Sequence, residues 1–211
     1  MESRGKVQAL NTAIREAIPA MRRVALENPN ARIRVRAVRF SDGARWHVAA
    51  PTPVEQFVWQ DLIAAGQTDL GQALALVAQE LRMPPMSERA LPPVLVLISD
   101  GRPTDDFAGG LQTLLQLPWG RRAVRLAIAI GADADPAPLR AFIANPLVPL
   151  LQAHNAETLV SYIRWASTAV VRAASAPPSQ HHSSLPLSSL PPSSNVPLPE
   201  PPPADDNLLV W

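Results

Sequence analysis

Apolar side chains recur along this 211-residue chain with two different periods, one typical of helices and the other of strands. Apolar positions three and four residues apart predict an amphipathic helix over 6–27, which Pro19 is expected to kink. Apolar positions alternate over 31–40, and a second short strand is predicted over 44–50 after a Ser-Asp-Gly turn. These two strands are expected to pair as an antiparallel hairpin.

After residue 67, helical and strand patterns alternate. The predicted elements are a helix opening at Thr68, a strand over 94–99, a helix capped by Thr104 or Asp105, a strand over 124–130, a helix capped by Asp135, a short strand over 148–151 and a last helix from Asn155 to about Arg172. The strands over 94–99 and 124–130 are apolar on both faces, which predicts full burial. The alternation predicts a three-layer α/β fold with a mostly parallel sheet and an antiparallel edge hairpin.

Proline divides the chain into two parts. The 24 prolines concentrate after residue 175, where serine is also abundant and Glu200 is the one charged residue of 176–203. Such a composition cannot bury enough apolar surface to offset chain entropy, so we expect a folded domain over 1–174 and a disordered tail over 175–211. The tail ends in DDNLLVW, which is either a docking peptide or an unstructured end.

Charge and cysteine content exclude several classes of function. The formal net charge is +1, and the chain contains no cysteine. Disulfides, thiolate zinc sites and cysteine nucleophiles are therefore excluded, and neither nucleic acid nor a membrane surface is an expected partner. No apolar run is long enough to span a membrane, and the N-terminus lacks the pattern of a signal peptide, so we expect a cytoplasmic protein.

Asp100 is the first candidate for chemistry, because it stands directly after the apolar strand over 94–99. Ligands of open parallel sheets bind beyond the carboxyl ends of the strands. Thr68, in a loop that enters a helix, is expected to face Asp100 there. The alternative is that both side chains only cap helices or bond loop amides.

Four phrases carry a resemblance to a known family: AGQTDLGQAL (65–74), VLVLISDGRPTDD (94–106), AVRLAIAIGADAD (123–135) and YIRWAS (162–167). Together they make residues 6–172 resemble a bacterial von Willebrand factor A (VWA) domain. Within that family the chain is similar to the TerY-like group, named from tellurite-resistance gene clusters. The resemblance implies a Rossmann-like three-layer fold.

The family's metal-ion-dependent adhesion site (MIDAS) binds a divalent cation through three loops. Thr68 and Asp100 match its threonine and its aspartate, so the resemblance implies that they bind Mg²⁺ or Mn²⁺, which prefer oxygen ligands. The surrounding loop residues are expected to contact the partner: Gly66, Gln67, Asp69, Gly101, Arg102, Thr104 and Asp105.

The family's first strand and its Asp-x-Ser-x-Ser loop have no counterpart before residue 6. We expect that the recorded start lies downstream of the true one, that the sheet closes without this strand, or that another segment such as DDNLLVW fills the space. Without that strand two edges would be unpaired, and metal binding is expected to be weak or absent.

The resemblance implies a non-enzymatic protein-binding adaptor or scaffold in bacterial phospho-signalling or in a stress or tellurite response. A Ser/Thr kinase and a metal-dependent protein phosphatase are the expected partners. The alternatives are a degenerate domain with a metal-independent structural role and an enzyme that transfers phosphate through Asp100.

Overall fold

The structure is a computed structural model that describes residues 2–28, 32–64, 66–100, 102–176 and 196–203. Its elements in chain order are α1 (Glu2–Glu27), β1 (Arg34–Ser41), β2 (Gly43–Pro53), α2 (Leu70–Glu80), β3 (Val94–Ser99), α3 (Phe107–Gln116), α4 (Pro118–Arg122), β4 (Val124–Ile130), α5 (Pro136–Ile143), β5 (Leu151–Ala153), α6 (Ala156–Trp165), a π-helical turn (Ala166–Val170) and α7 (Val171–Ala174). The predicted order of helices and strands is confirmed, and α1 continues through Pro19.

The strands form two sheets. β1 and β2 pair antiparallel, with irregular register between Val35 and Val38, and β3, β4 and β5 form a parallel sheet in that order. The predicted hairpin and parallel sheet are confirmed. Among the described strands no hydrogen-bonded pairing joins the two sheets, so β3 has a strand neighbour on one side only.

Helices cover the parallel sheet on both faces. Alternate residues of β4 point in opposite directions: Leu126 and Ile128 belong to a core cluster shared with α1 and α6, and Ala127 and Ala129 to a cluster shared with α2 and α5. We call the first of these the α1–α6 core. This arrangement is the predicted three-layer α/β fold.

Burial differs between the two apolar strands. Every residue of β4 is buried, as predicted. The prediction of full burial is wrong for β3, where Val96 is 38% exposed and Val94, Leu95 and Ile98 are half-buried. The physical reason is that β4 lies between two strands, whereas β3 is the edge of its sheet.

Several elements differ from the sequence prediction. The helix expected to open at Thr68 begins at Leu70, and the hairpin strands are 34–41 and 43–53 rather than 31–40 and 44–50. α3 is capped by Asp106, whose Oδ1 accepts a hydrogen bond from the Gly109 N–H at 2.9 Å, rather than by Thr104 or Asp105. β5 begins at Leu151 and not at residue 148, since Pro149 has no N–H to contribute to a strand ladder. The short helix α4 was not predicted, although Pro118 at its first position favours a helix start.

Helices α2 and α3 approach each other through two glycines. A Cβ atom on Gly71 would lie 2.2 Å from the Asp106 carbonyl oxygen, and one on Gly110 would lie 2.4 Å from the Gly71 carbonyl oxygen. Both separations are far below van der Waals contact. The backbones of the two helices therefore touch at a point where no side chain fits.

The predicted tail contains one described segment, Val196–Pro203, which is neither helix nor strand. Its Val196 and Leu198 side chains pack against the α1–α6 core. The peptide DDNLLVW lies outside the described residues. None of the helices that the structure describes combines the length and apolar character needed to cross a membrane.

Candidate functional site

The loop 66–69 is fastened to the turn of the hairpin. The Gln67 N–H donates to Asp42 Oδ1 at 3.1 Å, and the Gly43 N–H donates to Asp69 Oδ2 at 2.7 Å. Gly66 has φ = +73°, and a Cβ there would lie 2.6 Å from the Asp42 carboxylate, so this position requires glycine. The hairpin turn and the loop that carries Thr68 are thus held as one unit.

The same loop is joined to the loop that follows β3. The Thr68 N–H donates to Thr104 Oγ1 at 3.1 Å, and the Thr104 N–H donates back to the Thr68 carbonyl oxygen at 3.0 Å. The Thr104 hydroxyl also donates to Asp69 Oδ1 at 3.0 Å. We call loops 66–69 and 102–106 together the rim, because they lie beyond the carboxyl end of β3.

Asp105 connects the rim to helix α2. Its Oδ1 accepts from the Gly71 N–H and its Oδ2 from the Gln72 N–H, each at 2.8 Å. These are N–H groups of the first turn of α2, which have no partner within the helix. Asp69, at the N-cap position, accepts no backbone N–H of this turn with its side chain, so the backbone cap comes from another loop. A carboxylate there also suits the positive end of the helix dipole.

Asp100 is half-buried at the end of β3. Its Oδ1 accepts weakly from the Arg102 N–H at 3.3 Å, and its carbonyl oxygen accepts from the Asp135 N–H at 2.7 Å. The second bond fixes the end of β3 against the start of α5. Asp135 itself caps α5 as predicted, because its Oδ1 accepts from the Ala137 N–H.

Beside Asp100, two cationic side chains contact the loop that follows β4. Lys6 Nζ lies 3.0 Å from Asp133 Oδ1, and the Arg102 guanidinium donates to the Asp133 carbonyl oxygen at 2.7 Å. The hydrogen bond from Lys6 and its charge lower the pKa of Asp133 below its ordinary value of 3.8, and the charge of Arg102 adds a smaller effect. The Asp133 side chain is 58% exposed, so solvent screens this pair.

The acidic groups of the rim are already engaged by the protein. Both carboxylate oxygens of Asp69 and of Asp105 accept hydrogen bonds from hydroxyl, amide or backbone N–H groups. Within the described ranges, no group of three or more His, Asp or Glu side chains could hold a metal ion.

The structure brings most of the predicted site residues into one region. Thr68 and Asp69 bond directly to Thr104, and Gly66 and Gln67 of the same loop lie against Asp42. Asp105 binds the first turn of α2, and Arg102 is exposed beside Asp100. Gly101 lies outside the described residues. The bonds between Thr68 and Thr104 place the Thr68 loop beside the loop that follows Asp100, and the roles of both residues as metal ligands stay predictions.

Three residues of this region were missed from the sequence. Asp42 orders loop 66–69, and its signal is an Asp-Gly turn, which indicates the hairpin but not the loop it would bind. Lys6 and Asp133 pair although they lie far apart in the chain.

A family model for the von Willebrand factor type A domain matches residues 7–163. A search among curated proteins finds no match to the chain.

Among solved structures, a von Willebrand factor type A protein from Catenulispora acidiphila is similar with a TM-score of 0.57 and 19% identity, covering 79% of this chain and 38% of that one. The proximal thread matrix protein 1 from the mussel byssus, with a zinc-occupied MIDAS motif, is similar with a TM-score of 0.56 and 16% identity, covering 77% of this chain and 42% of that one. At these identities the similarity establishes the fold alone. The chain thus spans well under half the length of these relatives.

Proposed function

Because this chain belongs to the von Willebrand factor type A domain family, we propose that it is a protein-binding adaptor whose contact surface is the rim. Domains of this family are protein-interaction modules, often with a MIDAS. The observation that supports the rim is the pair of bonds between Thr68 and Thr104. They join two loops into one preorganised surface, which lowers the entropy lost when a partner binds.

Arg102 and Gln67 are the exposed polar residues that the partner would meet. In this proposal the shape of the surface is maintained by Asp69, Thr104 and Asp105. Their polar groups form hydrogen bonds within the domain. Thr68 and Asp100 are the proposed metal ligands, with Mg²⁺ or Mn²⁺ as the ion. A metal bound there would supply a Lewis-acidic contact for a carboxylate of the partner.

We propose that this metal site is incomplete in the chain as given, so that divalent cations bind it weakly or not at all. Two observations support this view. Among the described residues, no group of three or more His, Asp or Glu side chains could hold a metal ion. The described strands also form two sheets that no hydrogen-bonded pairing joins.

The cellular setting rests on the resemblance to the TerY-like group. We propose an adaptor in the cytoplasm of a bacterium, in phospho-signalling linked to a stress or tellurite response. A Ser/Thr kinase and a metal-dependent protein phosphatase are its proposed partners.

The binding experiment measures the affinity of a Ser/Thr kinase and of a metal-dependent protein phosphatase for the wild-type chain and for Arg102→Glu. The proposal expects at least a tenfold loss of affinity in Arg102→Glu, because the exposed cation of the rim is replaced by an anion. Arg89→Glu is the matched control, since Arg89 is also exposed but precedes β3, at the opposite end of that strand. Equal losses in both variants, or in neither, would contradict the rim as the contact surface.

The metal experiment follows the melting temperature while Mg²⁺ or Mn²⁺ is titrated to about 10 mM, where a bound ion stabilises in proportion to ln(1 + [metal]/Kd). An incomplete site predicts the same small response in the wild-type chain and in Asp100→Ala. A rise of several degrees in the wild-type chain that Asp100→Ala abolishes would show a working site and overturn this part of the proposal.

The two rival functions make different predictions. A domain with a purely structural role predicts that Arg102→Glu leaves every tested affinity unchanged. A phosphotransfer enzyme predicts labelling by acetyl phosphate that disappears in Asp100→Ala, and such labelling would replace the adaptor proposal.

A further inference from the structure

The segment Val196–Pro203 packs on the domain although its sequence is typical of a linker. Residues 197, 199, 201, 202 and 203 are proline. Val196 and Leu198 are half-buried against the α1–α6 core. The segment follows α7 in the chain through residues 177–195, which lie outside the described residues.

Proline determines how this segment can bind. Proline has no N–H group, and its ring restricts φ to an extended value. The segment therefore cannot join a sheet as a regular strand, but it holds Val196 and Leu198 at alternate positions of an already extended backbone. Segments of this kind lose little conformational entropy on binding. Their partners recognise them through apolar contacts, here with the aliphatic side chains that alternate with the prolines.

The core that receives these two side chains is also contacted by the edge strand of the parallel sheet. The α1–α6 core also includes Val94 and Ile98 of β3, and Val96 between them remains 38% exposed. Because β3 has one strand neighbour among the described residues, no described strand covers its other side. An apolar segment from elsewhere in the chain can therefore bury surface here that the sheet leaves open.

We propose that this surface is a binding site for extended, proline-interrupted peptides with two aliphatic side chains at alternate positions, and that Val196–Pro203 is its ligand within the same chain. Covalent connection through residues 177–195 gives such a ligand an effective concentration on the order of millimolar. A peptide of similar sequence from another protein then binds when this segment is displaced.

The test uses the full chain and a fluorescent synthetic peptide of the sequence VPLPEPPP, with binding followed by anisotropy. In Val196→Asp/Leu198→Asp the segment is expected to leave the site, since two carboxylates cannot enter an apolar core without a large desolvation penalty. This variant should bind the peptide at least tenfold more tightly than the wild-type chain. The peptide DPDPEPPP should bind neither protein.

Leu187→Asp/Leu190→Asp is the matched control, because it adds the same two charges to the same proline-rich tail. It should bind the peptide as weakly as the wild-type chain does. Leu198→Ala provides a milder displacement if the double variant does not fold, with an expected gain of about threefold, since fewer buried methyl groups are removed.

Two results would overturn the inference. The first is equal binding of VPLPEPPP by the wild-type chain and by the variants at 196 and 198. The second is the absence of binding to either Leu198→Ala or the folded double variant. Neither result depends on the rim, so the outcome is independent of the proposed adaptor function.

Discussion

The strands β3 and β4 lie side by side in the same parallel sheet, yet they and the loops that follow them are stabilised in different ways. β4 is buried along its whole length and ends in an exposed loop held by the ion pair between Lys6 and Asp133. β3 is a half-exposed edge strand, but its loop is fastened by hydrogen bonds to α2 and to loop 66–69. The sheet is therefore stabilised by apolar burial at β4, and the rim by polar contacts beyond β3.

The largest effect should come from Arg125, which is buried within β4 and is 6% exposed. Its guanidinium donates to the carbonyl oxygens of Phe142 and Gly120, each at 2.8 Å, and burial lowers its pKa. Arg125→Met leaves both carbonyl groups buried without this donor, which should destabilise the fold by about 3 kcal/mol. Urea unfolding measures the loss, with the exposed Arg140→Met as control; equal losses would show that Arg125 has no special role in the β4 region.

The two strands can be compared directly through one residue type. Val124→Ala in β4 should cost about 2 kcal/mol, because Val124 is 1% exposed and its removal leaves a cavity. Val96→Ala in β3 should cost less than about 1 kcal/mol, since Val96 is already 38% exposed. Urea unfolding of both variants checks the difference, and a larger loss for Val96 would mean that the edge of β3 is covered in solution.

A smaller effect is expected where the rim loop caps α2. Asp105→Ala removes the acceptor of two first-turn N–H groups and should destabilise the protein by about 1 kcal/mol. Asp100→Ala is the control of like chemistry, because the bonds that the described residues donate to the Asp100 carboxylate are long: 3.3 Å from the Arg102 N–H and 3.5 Å from the Ser99 hydroxyl. In thermal unfolding at pH 7, the melting temperature of Asp105→Ala should be clearly lower than that of Asp100→Ala. The reverse order would argue that the stability of the rim depends on Asp100 instead.

The smallest effect concerns Asp133, whose pKa is lowered chiefly by its bond to Lys6. A lowered pKa stabilises the folded state above the ordinary value of 3.8, and this contribution disappears as pH falls through the folded pKa. Asp133→Asn should therefore lower the melting temperature slightly at pH 7 and not at about pH 2. In a Lys6→Met background, the loss of melting temperature that Asp133→Asn causes at pH 7 should be smaller. If it is not, another group lowers the pKa of Asp133.

Local patterns in the sequence were enough to predict the strands, the hairpin and the caps at Asp135 and Asn155. Each of these depends on residues that are close together in the chain. The exposure of β3 could not be predicted from its composition, because it depends on whether a neighbouring strand is present. The same limit applies to Asp105, whose partners Gly71 and Gln72 precede it by more than thirty residues.

The candidate site likewise has features that depend on nearby residues and features that depend on contacts between distant parts of the chain. The sequence identified the loops that form the rim, since the positions after strands and before helices are locally recognisable. It did not reveal that the carboxylate oxygens of Asp69 and Asp105 accept hydrogen bonds from within the domain. That information depends on how loops from different parts of the chain meet.

The contact between Gly71 and Gly110 links the packing of helices α2 and α3 to the hydrogen bonds of the rim. Gly71 carries one of the two N–H groups that Asp105 binds, and it lies against the backbone of α3. A methyl group at either glycine would wedge the helices apart and pull the Asp105 loop away from its anchor. The outline of the rim is thus set by the spacing of the helices α2 and α3.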